Sequence, residues 1–149
     1  MPACYTGSGT GHVGAGITLM GLHTLGRARA AVYDIVLGSH DQPAHVATMF
    51  VVGRFTAPGA SCRRVVPQPL DPDSPPAAAE YRLDYTTPPR YVRTSLLEVS
   101  RYQRITYRWV AEPGAEMVAP ATVGGGIGIY SRSSSGSPAY DVVVFHREE

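Results

Sequence analysis

The chain has 149 residues, the usual size of one domain, and a domain of this length buries about 68–70% of the surface of its unfolded chain. All 13 basic residues are arginine, which excludes chemistry that requires a lysine, such as Schiff-base catalysis or a P-loop. The formal net charge of +1 excludes a strong electrostatic attraction to nucleic acid or to an anionic membrane surface.

The first segment in chain order, residues 1–16, is rich in glycine. Because ordering glycine costs conformational entropy, the sequence predicts an extended N-terminal arm, followed by a β-sandwich domain over residues 17–149. The spacing Gly9-x-Gly11-x-x-Gly14 also fits a dinucleotide-binding fingerprint, with Asp34 20 residues beyond the last glycine. That fingerprint requires a strand before it and a helix after it, and the glycines that follow disfavour a helix. We therefore expect no nucleotide cofactor.

Alternating apolar and polar side chains predict strands along most of the remaining chain. In residues 31–37 the side chains of Tyr33, Ile35 and Leu37 share one face, and residues 46–55 alternate as strongly. Further strands are expected over residues 81–86, as a short edge strand, and over 92–100, 103–111, 117–119, 126–130 and 139–146. Seven to nine strands without a convincing long helix are typical of an all-β fold, here a single-domain antiparallel β-sandwich of the jelly-roll kind.

Residues 57–80 carry six of the 13 prolines. Proline cannot donate to a sheet ladder, so this segment predicts a long Pro-rich surface loop, with at most one short helical turn over residues 77–80. Loops of this length are usually functional or mobile.

The segment from Arg104 to Pro120 holds the only tryptophan and predicts a strand, a tight turn at Pro113-Gly114 and a second strand. Ile105, Tyr107 and Trp109 fall on one face of the first strand. This pattern favours a core anchor for the sandwich over a platform for a ligand.

No residue is assigned a catalytic, cofactor-binding or metal-binding role. His40, Asp41 and His45 could offer two imidazoles and a carboxylate to a metal, but they lie on a predicted loop without a third strong ligand nearby. No nucleophile elbow is present, so Ser133–Ser137 is better explained as a turn. The remaining candidates are equally weak, and structural roles explain them better: Cys62 beside Arg63 and Arg64, and the carboxylates Glu112 and Glu116 that flank the Pro-Gly turn.

The cysteines and the apolar segments indicate where the protein works. Cys4 and Cys62 can form one disulfide, but two free thiols in a reducing compartment are the simpler expectation. No signal peptide is recognisable, and no apolar stretch approaches the roughly 18 residues of a membrane span. We expect a protein that is made and used without export.

Several motifs between about Arg29 and Glu149 follow one another in a characteristic order and end with a β-branched strand. These motifs are Tyr33-Asp34-Ile35-Val36-Leu37-Gly38-Ser39, Pro43-Ala44, Arg54-Phe55-Thr56-Ala57-Pro58-Gly59, Pro67-Gln68-Pro69-Leu70-Asp71-Pro72, Gln103-Arg104, Arg108-Trp109-Val110-Ala111-Glu112-Pro113-Gly114, Pro120-Ala121-Thr122 and Gly126-Ile127-Gly128. Together they resemble a group of small virion proteins of tailed bacteriophages and prophages. The resemblance implies a decoration (cement) protein on the head surface of the virion, made in the host cytoplasm, without enzymatic activity and with the major capsid protein as its partner.

On this hypothesis residues 1–16 contact the capsid shell, and tyrosines and arginines along strand edges contact other copies, most simply in a homotrimer. The nine tyrosines fit half-buried sheet positions and interfaces equally well. Two alternatives stay open. One is a tail- or baseplate-associated virion protein with the same fold, and the other is a carbohydrate-binding β-sandwich module with exposed aromatic side chains.

Overall fold

A computed structural model of the chain has two antiparallel β-sheets packed face to face, which confirms the predicted all-β sandwich. The structure describes residues 2–39, 47–102, 106–134 and 136–149. Within these ranges no helix is present, and hence none that is long and apolar enough to cross a membrane. The twelve strands are β1 (Ala3–His12), β2 (Thr18–His23), β3 (Ala30–Ser39), β4 (Ala47–Ala57), β5 (Ala60–Val65), β6 (Gln68–Pro69), β7 (Glu80–Thr87), β8 (Arg90–Tyr102), β9 (Tyr107–Val110), β10 (Met117–Ala119), β11 (Gly126–Ser134) and β12 (Ala139–Glu148).

Each sheet has six strands. Sheet A has the order β10-β3-β12-β1-β6, with β9 also paired to β3, and sheet B has the order β5-β7-β2-β11-β4-β8. The first four strands alternate between the two sheets, so the chain crosses the core repeatedly. Strand β7, predicted as a short edge strand, lies inside sheet B between β5 and β2. The finer jelly-roll arrangement stays a prediction.

The core lies between the sheets and is built from the inward faces of both. Apolar side chains alternate inward along the strands, as the period of two requires. The largest contributors that are nearly or fully buried are Leu19, Met20, Ile35, Leu37, Phe50, Tyr81, Leu83 and Tyr140. Tyr107 and Trp109 pack against this core from the edge strand β9 and stay half-buried, and Ile105 lies outside the described residues.

The glycine-rich start is an integral strand, so the prediction of an arm outside the domain was wrong. All ten residues of β1 pair with β12, and Tyr5 and Thr6 also pair with β6 on the other side. Gly7, Gly9 and Gly11 take the inward positions, where a Cβ atom would overlap the side chains of Tyr81 and Leu83 and press on that of Leu19. The glycines are there because large side chains of sheet B occupy the space that their own side chains would need.

The prediction of one long loop over residues 57–80 was also wrong. Residues 60–65 form β5, an edge strand of sheet B, and Gln68–Pro69 form β6, an edge strand of sheet A. Both prolines next to Gln68 stand at a sheet edge, where a missing N–H donor is tolerated. Between residues 57 and 80 the backbone outside the strands is limited to residues 58–59, 66–67 and 70–79, and residues 77–80 contain no helical turn.

A bulge in β3 separates Tyr33 from the core face on which the sequence placed it. The register between β3 and β12 shifts by one residue between Phe145 and His146. Val32, Ile35 and Leu37 therefore enter the core, while Tyr33 is half-buried on the outer face of sheet A beside the ring of Phe145. An extra residue in one strand changes which face the neighbouring side chains occupy.

Candidate functional site

A surface cleft of about 460 Å³ lies at one end of sheet B. It forms where β2 and β4 end and β11 begins, and we call it the end cleft. Gly124 and Gly125 line the cleft with backbone atoms only, because they have no side chains. Its lining residues are His23, Leu25, Thr56, Ala57, Pro58, Arg82, Val123, Gly124 and Gly125.

His23 is almost fully buried beside this cleft and is held neutral. Burial, followed by the positive charges of Arg82 and Arg64, lowers the pKa of His23 to about 3. Its Nε2 atom lies 2.6 Å from the hydroxyl of Tyr85, whose pKa is raised by burial. Arg82 is neutralised in turn by Glu80, whose Oε1 atom accepts a hydrogen bond of 2.6 Å from Nε of Arg82. The imidazole therefore has no proton to release or gain near neutral pH.

Aromatic rings cover the outer face of sheet B next to the end cleft. Tyr85 lies over Gly21, and Tyr91 lies over Gly128, where the absence of a side chain makes room for each hydroxyl. The rings of Tyr91 and Tyr130 are 4.1 Å apart. These tyrosines are half-buried, and none of the tyrosines with described burial is fully exposed. The half-buried sheet role thus accounts for them, and they offer little free surface to another copy.

A second depression of about 410 Å³ lies on the outer face of sheet A, and we call it the turn pocket. One wall is the segment that joins β9 to β10, with the Pro113-Gly114 turn predicted from the sequence. The amide of Ala115 donates to the carbonyl of Glu112 (2.9 Å), and Gly114 has a φ of +85°. The lining residues are Cys4, Tyr33, Ala111, Pro113, Glu116 and Arg147.

A hydrogen-bonded chain of ionisable side chains is buried on the other side of sheet A. The hydroxyl of Tyr81 lies 2.5 Å from Nδ1 of His146, and Nε2 of His146 lies 3.3 Å from Oε1 of Glu148. The carboxylate of Glu148 also accepts hydrogen bonds of 2.8 Å from the amides of Ala78 and Ala79. Since Tyr81 and His146 are inaccessible to solvent, a substrate cannot reach them. The chain of hydrogen bonds ties the irregular segment 70–79 to β12.

The structure places the other candidates from the sequence far from one another. The fingerprint glycines 9, 11 and 14 lie on or just after β1, and Asp34 is paired with Arg108 on β9. His40, Asp41 and His45 lie outside the described residues. Within the described ranges no three His, Cys, Asp or Glu side chains form a group that could hold a metal ion, and Cys4 and Cys62 are both free thiols. Glu112 is exposed, whereas Glu116 turns into the turn pocket.

Sequence reasoning missed most of the turn pocket. Cys4, Tyr33 and Arg147 come from three strands that neighbour one another in sheet A but lie far apart in the chain. The Pro113-Gly114 turn was the one local signal for this site, and it was interpreted as a fold signal. The pairing of β1, β12 and β3 in sheet A is what brings these three residues together.

Comparison of the chain with profiles of known protein families and with curated proteins found no match.

Proposed function

We propose that the protein is a decoration (cement) protein that binds the major capsid protein on the head surface of a tailed bacteriophage and stabilises the shell. The β-sandwich is the fold expected for this role, and the motifs between residues 29 and 149 resemble those of small virion proteins. Many weak contacts repeated over a symmetric shell would add up through avidity.

The observation that carries the proposal is the apolar edge around β6. Val66 and Leu70 flank this strand and are 66% and 51% exposed. In the described part of the chain β6 pairs with β1 alone, and the amide of Leu70 continues that ladder by donating to Cys4 (2.9 Å). Pro67 and Pro69 stiffen the segment, so presenting the two apolar side chains to a partner costs little conformational entropy. Exposed apolar side chains at a rigid edge suit a protein–protein contact.

The proposed attachment site is therefore the β6 edge and not residues 1–16, the site expected from the sequence. Residues 3–12 are paired with β12 along their whole length, and Tyr5 and Thr6 are also paired with β6, so this segment cannot also extend over a capsid. For contacts between copies, the exposed arginines on the outermost strands of sheet B remain the proposed residues. These are Arg63 and Arg64 on β5 and Arg90 and Arg93 on β8.

Co-sedimentation tests the proposal. Heads assembled from the major capsid protein of the same phage should pellet together with the protein and release it in a chaotrope. A variant carrying Val66→Asp and Leu70→Asp should lose most of this binding, because charged side chains would have to be desolvated at the interface. Val123→Asp is the matched control, since Val123 is 87% exposed at the end cleft and its variant should still pellet.

The alternatives give different outcomes. A tail or baseplate protein would label tails and not heads in immuno-electron microscopy of virions. A free carbohydrate-binding module would associate with neither. Failure of the wild-type protein to pellet with heads contradicts the decoration role, and full binding by the folded double variant contradicts the assignment of the β6 edge.

A further inference from the structure

Strands β9 and β10 share one edge of β3, yet the chain leaves that edge between them. Val110 pairs with Asp34 and Met117 pairs with Val32, so a much shorter connection would keep both strands in place. Instead residues 111–116 make an excursion that is held by two backbone hydrogen bonds. The amide of Ala111 donates to Tyr33 (2.8 Å), and that of Ala115 donates to Glu112 (2.9 Å). The excursion adds a wall and returns Glu116 to the floor of the turn pocket.

A second irregularity of sheet A, the bulge in β3, also contributes to the turn pocket. The bulge in β3 opposite Phe145 and His146 turns the ring of Tyr33 outward, where it lines the turn pocket. Bulges are often used to re-aim a side chain beside a functional site. Two departures from regular pairing, from different strands, thus shape one depression of about 410 Å³, which lies within the roughly 300–1,000 Å³ typical of small-molecule sites.

The two charged side chains that line the turn pocket are of opposite sign. Arg147 lies 3.2 Å from Glu116, and outside the lining it also lies 3.2 Å from Glu149, which in turn lies 3.8 Å from Arg29. The charges in and next to the pocket therefore occur as ion pairs. The Nε atom of Arg147 is buried and makes no hydrogen bond within the described residues, so a ligand cannot reach it. The Arg147 side chain as a whole is 34% exposed and lines the pocket next to Glu116, so it offers donors to a ligand oxygen beside a carboxylate that accepts from ligand hydroxyls.

We propose that the turn pocket binds a neutral saccharide ring. Adjacent hydroxyl groups of a sugar can accept from Arg147 and donate to Glu116 at the same time. The ring of Tyr33 and the side chains of Pro113 and Ala111 supply an apolar wall for the C–H face of the sugar. The combination of neutral overall charge, paired donors and acceptors, and an apolar wall favours a polyhydroxylated ring over an ion.

Ionised ligands fit this floor less well. An anion at Arg147 would face the carboxylates of Glu116 and Glu149, and a cation at those carboxylates would face Arg147. Burial, followed by the neighbouring Cys4 thiol, raises the pKa of Tyr33 to about 12, so the phenol stays uncharged near neutral pH. Saccharide binding goes beyond the decoration role and does not depend on it.

Solution NMR with isotope-labelled full-length protein tests the inference directly. D-glucose, D-galactose, D-mannose and N-acetyl-D-glucosamine are titrated separately, with sodium phosphate and methylammonium chloride as charged probes. At least one sugar should shift the amides of residues 111–116 and of Tyr33 with a Kd on the order of 1 mM, as expected for a ligand of this size. The charged probes should bind more weakly at these amides.

A pair of glutamates on the same turn provides matched variants. Glu116→Gln removes the carboxylate that holds Arg147 and should weaken sugar binding about tenfold, the typical effect of losing a charge-assisted hydrogen bond. Glu112→Gln makes the same chemical change at an exposed position outside the pocket and should leave the Kd unchanged. Thermal unfolding of both variants shows whether the sandwich is intact, and mapping on the wild-type protein does not depend on either variant folding.

The outcomes separate this inference from the proposed function. It is overturned if no neutral sugar shifts the pocket amides at about 50 mM, if the shifts map to the end cleft instead, or if folded Glu116→Gln binds as well as Glu112→Gln. None of these results affects co-sedimentation with heads, and loss of co-sedimentation does not affect sugar binding.

Discussion

At the scale of single residues, the inward glycines of β1 have a packing role that the glycine-rich composition does not reveal. A glycine-rich segment looks like a flexible arm because glycine is costly to order. In β1 every second residue is glycine from Gly7 to Gly11, and the inward positions face Tyr81, Leu83 and Leu19. The alternating glycines therefore make room for large side chains of the opposite sheet.

Gly7→Ala should destabilise the protein, because the new Cβ atom would overlap the ring of Tyr81. Overpacking of this kind costs about 1–3 kcal/mol, and each kcal/mol lowers the Tm by about 2–4 °C in a protein of this size. Ser8→Ala on the exposed side of the same strand is the control and should change the Tm little. Equal Tm values for the two variants would contradict the close approach of β1 to sheet B.

At the scale of elements, the Pro113-Gly114 turn depends on one left-handed backbone position. Gly114 has a φ of +85°, and open space surrounds the position that a Cβ atom would occupy. Its requirement for glycine is thus conformational and not steric.

Gly114→Ala should cost about 1 kcal/mol, since an L-residue disfavours this φ. Gly38→Ala is the control, because Gly38 has ordinary backbone geometry and a Cβ there would meet its nearest atom, Oγ1 of Thr106, at 4.0 Å. The control should be neutral or slightly stabilising in urea unfolding. A neutral Gly114→Ala variant would show that the turn adopts another conformation in solution.

At the scale of the whole molecule, β1 links the short edge strand β6 to the other strands of sheet A. It lies between β12 and β6, and its removal would leave one edge of β12 unpaired and uncover the inward faces of Tyr81 and Leu83.

Deleting residues 2–16 should therefore abolish cooperative thermal unfolding, and not merely remove an attachment arm. Circular dichroism and calorimetry of the truncated protein would show this as a loss of the transition. A truncated protein that still unfolds cooperatively near the wild-type Tm would indicate that the body folds without β1.

The protein should lose stability in acid through Glu148. Burial opposes ionisation of Glu148, but the hydrogen bonds from His146, Ala78 and Ala79 outweigh it and lower its pKa below the ordinary value of 4.5. A carboxyl group with a lower pKa in the folded state stabilises the protein above its unfolded pKa, and this contribution is lost as the pH falls through the folded value. Thermal unfolding as a function of pH should show this loss below about pH 4.5.

Glu148→Gln should flatten that part of the pH profile, because the amide side chain does not titrate there. Glu112→Gln, at an exposed position, should keep the wild-type slope. Parallel profiles for wild type and Glu148→Gln would contradict a role for this carboxylate.

The sequence by itself determined the fold class, most strand positions and the Pro-Gly turn, because alternation and turn chemistry are local properties. Residues 117–119, for example, were predicted as a strand with the bounds that β10 has. Only the tertiary structure decided that the glycines of β1 face Tyr81 and Leu83, that a bulge turns Tyr33 outward, and that Cys4 and Arg147 meet Glu116 beside the turn. Each of these depends on pairing between strands distant in the chain, and the alternation within one strand does not specify its neighbours or a one-residue shift in register.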